Sequence, residues 1–173
     1  RRFSVVIATA FGCPFEGRVA PERVAGIARR LAAIGVDEIV LADTIGAATP
    51  FDVAGLVPLT QAAVAGIPLG CHFHNTRNLG FANAYAAIGC GVRLFDSSVG
   101  GLGGCPFAPR ATGNIATEDL VNMLGGRLEA PVDVEALFAT IGWLEERIGA
   151  AVPGLLSRAG AFPPVASLNP PSG

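Results

Sequence analysis

Lysine is absent from this chain of 173 residues: its twelve basic residues are all arginine, and the formal net charge is -2. No basic stripe can be assembled from so few cations. The single Trp and single Tyr provide no stacking platform, so nucleic-acid binding has little support. No apolar run approaches the roughly 20 residues needed to cross a bilayer. Arg1-Arg2 leads only into a short run, Phe3 to Ala8, with the character of a strand rather than of a secretory signal. The four cysteines, Cys13, Cys71, Cys90 and Cys105, lack C-x-x-C spacing and are too sparse for a disulfide scaffold, which predicts free thiols in a reducing compartment, by default the cytoplasm. An initiating Met is absent too. The chain opens directly on a β-rich segment, as though further structure were supplied upstream or by another chain.

What is abundant points to the fold class. Half of the residues are apolar, Gly is plentiful and the mean hydropathy is positive, a composition suited to strands buried on both faces of a parallel sheet. Length allows one domain with a sizeable core. The run from Phe3 to Thr9 predicts a strand; Pro21 at a first helical turn, followed by Val24, Ile27, Ala28, Leu31 and Ile34 at helical spacing, predicts a helix stopped by Gly35. Glu38 to Ala42 predicts a second strand, and Thr49-Pro50 opens a helix that ends before Gly66. A third strand runs from Ile67 into His72, an Ala-rich helix from Leu79 to Ile88, and a fourth strand from Val92 to Phe95. Four strand-helix units in succession are the signature of a parallel α/β sheet. Acidic residues after Thr117 suit the start of a helix through Met123, and a last helix from about Asp133 shows Val134, Leu137, Phe138, Ile141, Leu144 and Ile148 on one face. Residues 1–149 form the expected domain, and 150–173, rich in Pro, Gly, Ala and Ser, a loosely packed or disordered tail.

The polar residues fall at one end of these strands. Cys13, Asp43-Thr44, His72 and His74, and Asp96-Ser97-Ser98 all lie at or just beyond strand C-termini, the end where parallel α/β folds place their chemistry. The only two histidines are two residues apart; on a strand they project from the same face, where their nitrogens can converge on one ion. The alternative is a hydrogen-bonded pair at a strand end. Beyond the fourth strand, Gly100-Gly101-Leu102-Gly103-Gly104 has almost no preferred backbone shape and is expected to be mobile. It is not a dinucleotide fingerprint, since Pro106 stands where a third glycine would be needed. Cys105 at its end is either an inert packed thiol or one that reaches a substrate. Asn114 is either a helix cap or a carbonyl-oxygen ligand for a hard cation. Arg77 either meets an anionic group or is an exposed arginine at the start of a helix.

Taken together, Gly12-Cys13-Pro14-Phe15-Glu16-Gly17, Leu41-Ala42-Asp43-Thr44-Ile45-Gly46, His72-Phe73-His74-Asn75-Thr76, the stretch from Asp96 through Gly104-Cys105-Pro106-Phe107, and Gly113-Asn114-Ile115-Ala116-Thr117-Glu118-Asp119-Leu120 resemble the 3-hydroxy-3-methylglutaryl-CoA lyase family over roughly residues 3–148. The resemblance implies the C-terminal half, about strands five to eight, of a TIM-type (β/α)8 barrel, since a full barrel takes about 250 residues. It further implies cleavage of a 3-hydroxyacyl-CoA into acetyl-CoA and a keto acid with Mg²⁺ or Mn²⁺, in the family's role in leucine degradation. By the same resemblance His72, His74 and Asn114 are metal ligands, Cys105 and His72 are catalytic, and Asp43 is a substrate-binding carboxylate.

Retro-Claisen chemistry agrees with this set. It needs a base for the tertiary hydroxyl proton, a cation at the neighbouring oxygens and an acid for the departing enolate. Two departures stand out. The family's His-Cys-His-Asp is His-Phe-His-Asn here, removing a carboxylate expected near the metal and leaving the acyl preference open. The family's first half, with an Asp that completes the metal site and an adjacent Arg, has no counterpart. The expected partners are an acyl-CoA and a missing N-terminal half or second subunit, with homo-oligomers, and no nucleic acid or membrane. A related acyl-CoA-condensing synthase and a non-catalytic half-barrel are the competing readings.

Overall fold

The computed structural model describes residues 1–64, 66–105 and 108–162. Four parallel strands, β1 (Ser4–Ile7), β2 (Glu38–Asp43), β3 (Leu69–Phe73) and β4 (Leu94–Asp96), lie side by side in chain order. Helices α1 (Pro21–Ala33), α2 (Pro50–Val64) and α3 (Gly80–Gly89) join them. The strict order with a helix in every crossover is that of a barrel segment rather than of a sheet wound in two directions.

Local chemistry accounts for the boundaries. α1 starts at Pro21, and Gly35 with φ 81° carries the chain past its end into β2. At α2, Thr49 and Asp52 cap reciprocally: the Thr49 N–H donates to Asp52 Oδ2 (2.9 Å) and the Asp52 N–H to Thr49 Oγ1 (3.3 Å). α2 is apolar on most sides because it packs between α1 and α3, and it tolerates Pro58 inside its fifteen residues.

The pleat sorts the strands into two faces. Ile7, Leu41, Cys71 and Phe95 share a register row that faces the helices; with Ile39, Val24, Ala28, Val53, Val57, Phe73 and Ala87 they make one core. Phe73, Ile39 and Leu41 are completely enclosed. Each such side chain stabilises the fold by about 1.5–3 kcal/mol. The other face carries the row Val6, Val40, Gly70 and Leu94 and, one step nearer the strand ends, Ala42, His72 and Asp96. Gly70 is required by space, since a Cβ there would sit 3.2 Å from Val40 Cγ2 and 3.3 Å from Leu94 Cβ. Val6 on this inner face is 54 % exposed, and among the described residues β1 and β4 each have one unpaired edge.

After β4 the chain makes a short 3₁₀ turn (Val99–Gly101), then an antiparallel pair β5 (Gly104–Cys105) and β6 (Ala108–Thr112), before α4 (Thr117–Leu124) and α5 (Val134–Ile148). Asp133 caps α5 by accepting from the Ala136 N–H at 3.0 Å. Among the described residues no helix is long and apolar enough to cross a membrane.

Two expectations are corrected here. The glycine loop is shaped rather than featureless. Gly100 and Gly101 use positive φ (68° and 71°), and the Gly101 N–H donates to the Ser98 carbonyl (2.9 Å) and the Gly113 N–H to that of Gly103 (2.9 Å). Nor does packing end at Ala150: Val152 is fully buried, Leu156 nearly so, and α6 (Leu156–Ala159) follows. The small residues read as tail-like are what allow this close approach. Of the expected tail, residues 163–173 lie outside the described residues.

Candidate metal centre at the strand ends

β3 and the residue just beyond it present the two histidines, and a returning segment presents Asn114. His72 and His74 alternate with Phe73; Phe73 enters the core while the two imidazoles meet edge to face with ring centroids 5.2 Å apart. Beyond β3 the chain pairs antiparallel with residues 113–115: the Asn75 N–H donates to the Gly113 carbonyl (2.9 Å) and the Ile115 N–H to that of Phe73 (3.2 Å). These two bonds flank His74 and Asn114, which therefore form a non-hydrogen-bonded pair, the kind with the closer side chains. Asn114 is not a helix cap; Ala116 precedes α4 in that position.

The amide of Asn114 is oriented by the glycine loop. Its Nδ2 donates to the Leu102 carbonyl at 2.8 Å, a partner that can only accept, so Oδ1 is turned the other way. Asn114 Oδ1 and His74 Nδ1 are both buried, and neither has a hydrogen-bond partner among the described residues. Orphaned buried acceptors are costly at about 1–3 kcal/mol each, and two of them on facing residues fit a bound cation. The Asn114 amide also lies close enough to weigh on the titration of His72, although Oδ1 makes no hydrogen bond with it.

Electrostatics keeps the rings available as donors. Burial pushes the pKa of His72 below its ordinary value, opposed by Asp96, whose Oδ2 lies 4.0 Å from His72 Nδ1, and by Asn114. Burial also lowers His74, and the neighbouring His72 adds to it. Both shifts favour the neutral imidazole with a free lone pair. Among the described residues no group of three or more His, Cys, Asp or Glu could hold a metal ion, which leaves the two imidazoles and the Asn114 amide as the candidate donors.

Asp43 is not brought to this group. It pairs with Phe73 on the helix-facing side of the pleat, is fully buried, and accepts from the N–H groups of Ala47 (2.8 Å) and Ala48 (3.1 Å). Burial raises its pKa, and these two bonds oppose the rise. Its observed work is to shape the loop into α2. Asn75 likewise is engaged elsewhere: its Oδ1 accepts the Gly80 N–H (3.1 Å) at the start of α3. Arg77 holds the carbonyls of Ile45 (2.7 Å) and Gly46 (2.9 Å). Cys105 lies on β5, two residues after Gly103, which abuts the Asn114 amide; its side chain, with Pro106 and Phe107, is outside the described residues. Cys71 is a packing thiol whose pKa is pushed up to about 12, by burial first and Cys90 second.

Asp96 and Glu118 were legible as residues but not as neighbours of the centre. The sequence places Asp96 at a strand end and Glu118 at the start of a helix. Only the in-register pairing of β4 with β3 sets Asp96 beside His72, and only the fold sends Glu118 to the loop, as described below.

The fold is a parallel (β/α) barrel segment, with His72, His74 and Asn114 as a candidate site at its C-terminal rim. A family profile described as HMGL-like matches residues 3–142, and the chain belongs to this family. It is 49 % identical over 171 residues to a (R)-citramalyl-CoA lyase of Chloroflexus aurantiacus, covering 97 % of this chain and 54 % of that one. It is 50 % identical over 132 residues to the hydroxymethylglutaryl-CoA lyase of Pseudomonas mevalonii, covering 76 % and 44 %. The structure superposes with TM-score 0.86 and 41 % identity on an HMG-CoA lyase from Acinetobacter baumannii in complex with coenzyme A and 3-methylmalate, covering 97 % of this chain and 54 % of that one. The chain thus spans about half the length of the relatives it matches, and its four strands correspond to about half of a TIM barrel.

Proposed function

We propose that this chain is the metal-binding half of a carbon-carbon lyase that cleaves a 3-hydroxyacyl-CoA of the 3-hydroxy-3-methylglutaryl-CoA type into acetyl-CoA and a keto acid, acetoacetate for HMG-CoA itself. The observation that carries this reading is the pair of unpartnered buried donor atoms, His74 Nδ1 and Asn114 Oδ1, on facing residues beside His72. Relatives named for two different acyl-CoA substrates support the CoA-lyase class.

His72, His74 and Asn114 would hold Mg²⁺ or Mn²⁺, which supplies positive charge for the substrate's hydroxyl and carbonyl oxygens. His72, whose pKa burial lowers, would take part in removing the proton from the tertiary hydroxyl as a ligand of the cation that acidifies that hydroxyl, the proton passing to solvent. As the carbon-carbon bond breaks, its electron pair passes to the thioester as an enolate, and the keto acid leaves. Cys105 gives its proton to the enolate carbon, forming acetyl-CoA. Gly100 to Gly104 carry Cys105 on a segment tied to Asn114 at Leu102, which links the acid to the metal site through one short stretch of backbone.

An N-terminal half-barrel or second subunit completes the site, covering the inner face where Val6 is exposed and closing the edges of β1 and β4. The free thiols Cys13, Cys71 and Cys90 support a cytoplasmic setting. The test has two arms. Mn²⁺ titration of the chain checks for a single site lost in His74→Ala and Asn114→Ala. The complete barrel is then assayed with HMG-CoA, citramalyl-CoA, and acetyl-CoA plus a 2-oxo acid. Cleavage of either acyl-CoA supports the lyase, condensation alone would assign a synthase, and no Mn²⁺ binding even in the complete barrel removes the metal reading.

A further inference from the structure

The hinge where the glycine loop leaves β4 is held by a carboxylate that the chemistry above does not use. Glu118 sits in the first turn of α4 and is fully buried, yet it does not cap its own helix. Its Oε2 accepts the Gly100 N–H at 3.0 Å, and its buried Oε1 has no partner among the described residues. The Gly100 carbonyl in turn accepts the Gly154 N–H at 2.9 Å. No slack is left around this point. A Cβ on Gly100 would lie 2.8 Å from Val152 Cβ, and one on Gly154 would overlap Glu118 Oε1. The backing segment is itself fastened: Glu145 Oε1 accepts the Val152 N–H (2.9 Å), and Asp119 accepts from Leu155 (3.0 Å) and Leu156 (2.7 Å).

Two residues further along the loop, the Leu102 carbonyl receives the Asn114 amide. Glu118 and Asn114 therefore grip one short stretch at Gly100 and at Leu102. A buried carboxyl with an orphaned oxygen is an expensive way to satisfy one N–H, and a native structure retains such a group where something else depends on it. A carboxylate makes the stronger and more directional acceptor.

We propose that Glu118 is a positioning residue for the metal centre: by fixing Gly100 it places the Leu102 carbonyl, and through that carbonyl it sets which way the oxygen of Asn114 points. This rests on the metal-site reading above. Glu118 acts through the loop and touches neither the cation nor the substrate.

The experiment is a Mn²⁺ titration of wild type, Glu118→Ala, Glu118→Gln and, as a control for lost stability alone, Val24→Ala in the distant α1 core. Expected are an affinity lowered about 10- to 100-fold in Glu118→Ala, recovery of most of it in Glu118→Gln, whose amide oxygen can still accept from Gly100, and wild-type affinity in a less stable Val24→Ala. A folded Glu118→Ala that binds Mn²⁺ like wild type overturns the proposal, as does an equal loss in Val24→Ala. If Glu118→Ala does not fold, Gly154→Ala displaces the same carboxylate without removing it, and unchanged binding there is again a refutation. Should wild type bind no Mn²⁺, the metal reading fails separately. Amide hydrogen exchange then decides on the loop: faster exchange at Gly101 and Gly103 in Glu118→Gln or Gly154→Ala supports the positioning role, and unchanged exchange overturns it.

Discussion

Gly103 lies directly against the amide of Asn114, so closely that a β-carbon on Gly103 would overlap Nδ2. Its φ of 130° is also one that L side chains rarely adopt. Gly103→Ala should therefore disturb the hydrogen bond from Asn114 to Leu102 and release the amide. An affinity for Mn²⁺ reduced by about 10- to 100-fold is expected, the usual consequence of losing a group that orients a ligand. Calorimetric titration checks it; unaltered affinity would mean that the amide is oriented by something other than the loop.

Acidification should weaken the fold through the histidines. Burial lowers the pKa of both His72 and His74 in the folded chain below the unfolded value of about 6.5. Between the lowered and the unfolded values the unfolded state binds more protons, so stability is full above the unfolded value and falls as pH drops through the folded ones. Urea midpoints measured between pH 7.5 and 5 should decline in wild type. The decline should be shallower in His74→Gln, and an identical slope in both would show that His74 does not contribute.

Asp43 should matter for folding before it matters for metal binding. Its carboxylate satisfies the N–H groups of Ala47 and Ala48 on the side of the sheet away from His72. Asp43→Ala leaves two donors short of an acceptor, at a cost of about 1–3 kcal/mol for each that stays buried. Thermal melts should show the loss, while Mn²⁺ affinity in the folded variant stays near wild type. A selective loss of affinity without a change in melting would place Asp43 in the site instead.

Ending the chain after Gly149 should cost stability although the removed sequence is rich in Pro, Gly and Ser. Val152 and Leu156 are buried against the rest of the molecule, which sets an upper bound of about 3–6 kcal/mol for the two side chains. The Gly100 carbonyl also loses the Gly154 N–H. A chemical-denaturation midpoint equal to that of the full chain would show that these contacts carry no weight in solution.

Residue order alone determined the parallel α/β character, the positions of β1 to β4 and α1 to α5 within a residue or two, and the placement of His72 and His74 on one strand face. These features depend on local patterning: alternation or helical spacing of apolar side chains, Pro21 at a helix start, Thr49 as a cap, and the two-residue period of a strand. Such signals act between near neighbours in the chain, so they can be read without knowing what packs against them. The tertiary structure decided the rest. It turned Asn114 from a possible cap into the residue opposite His74, turned Asp43 away from the histidines, engaged Asn75 at the start of α3, and gave Glu118 its grip on Gly100. It also drew residues 150–160 into the packed domain. Each of these depends on segments far apart in sequence meeting at a set register, and composition carries no information about that meeting. Glycine shows the contrast most plainly: a run of glycines in sequence signals freedom, while at Gly70, Gly100, Gly103 and Gly154 the folded chain uses the missing β-carbon for close contact.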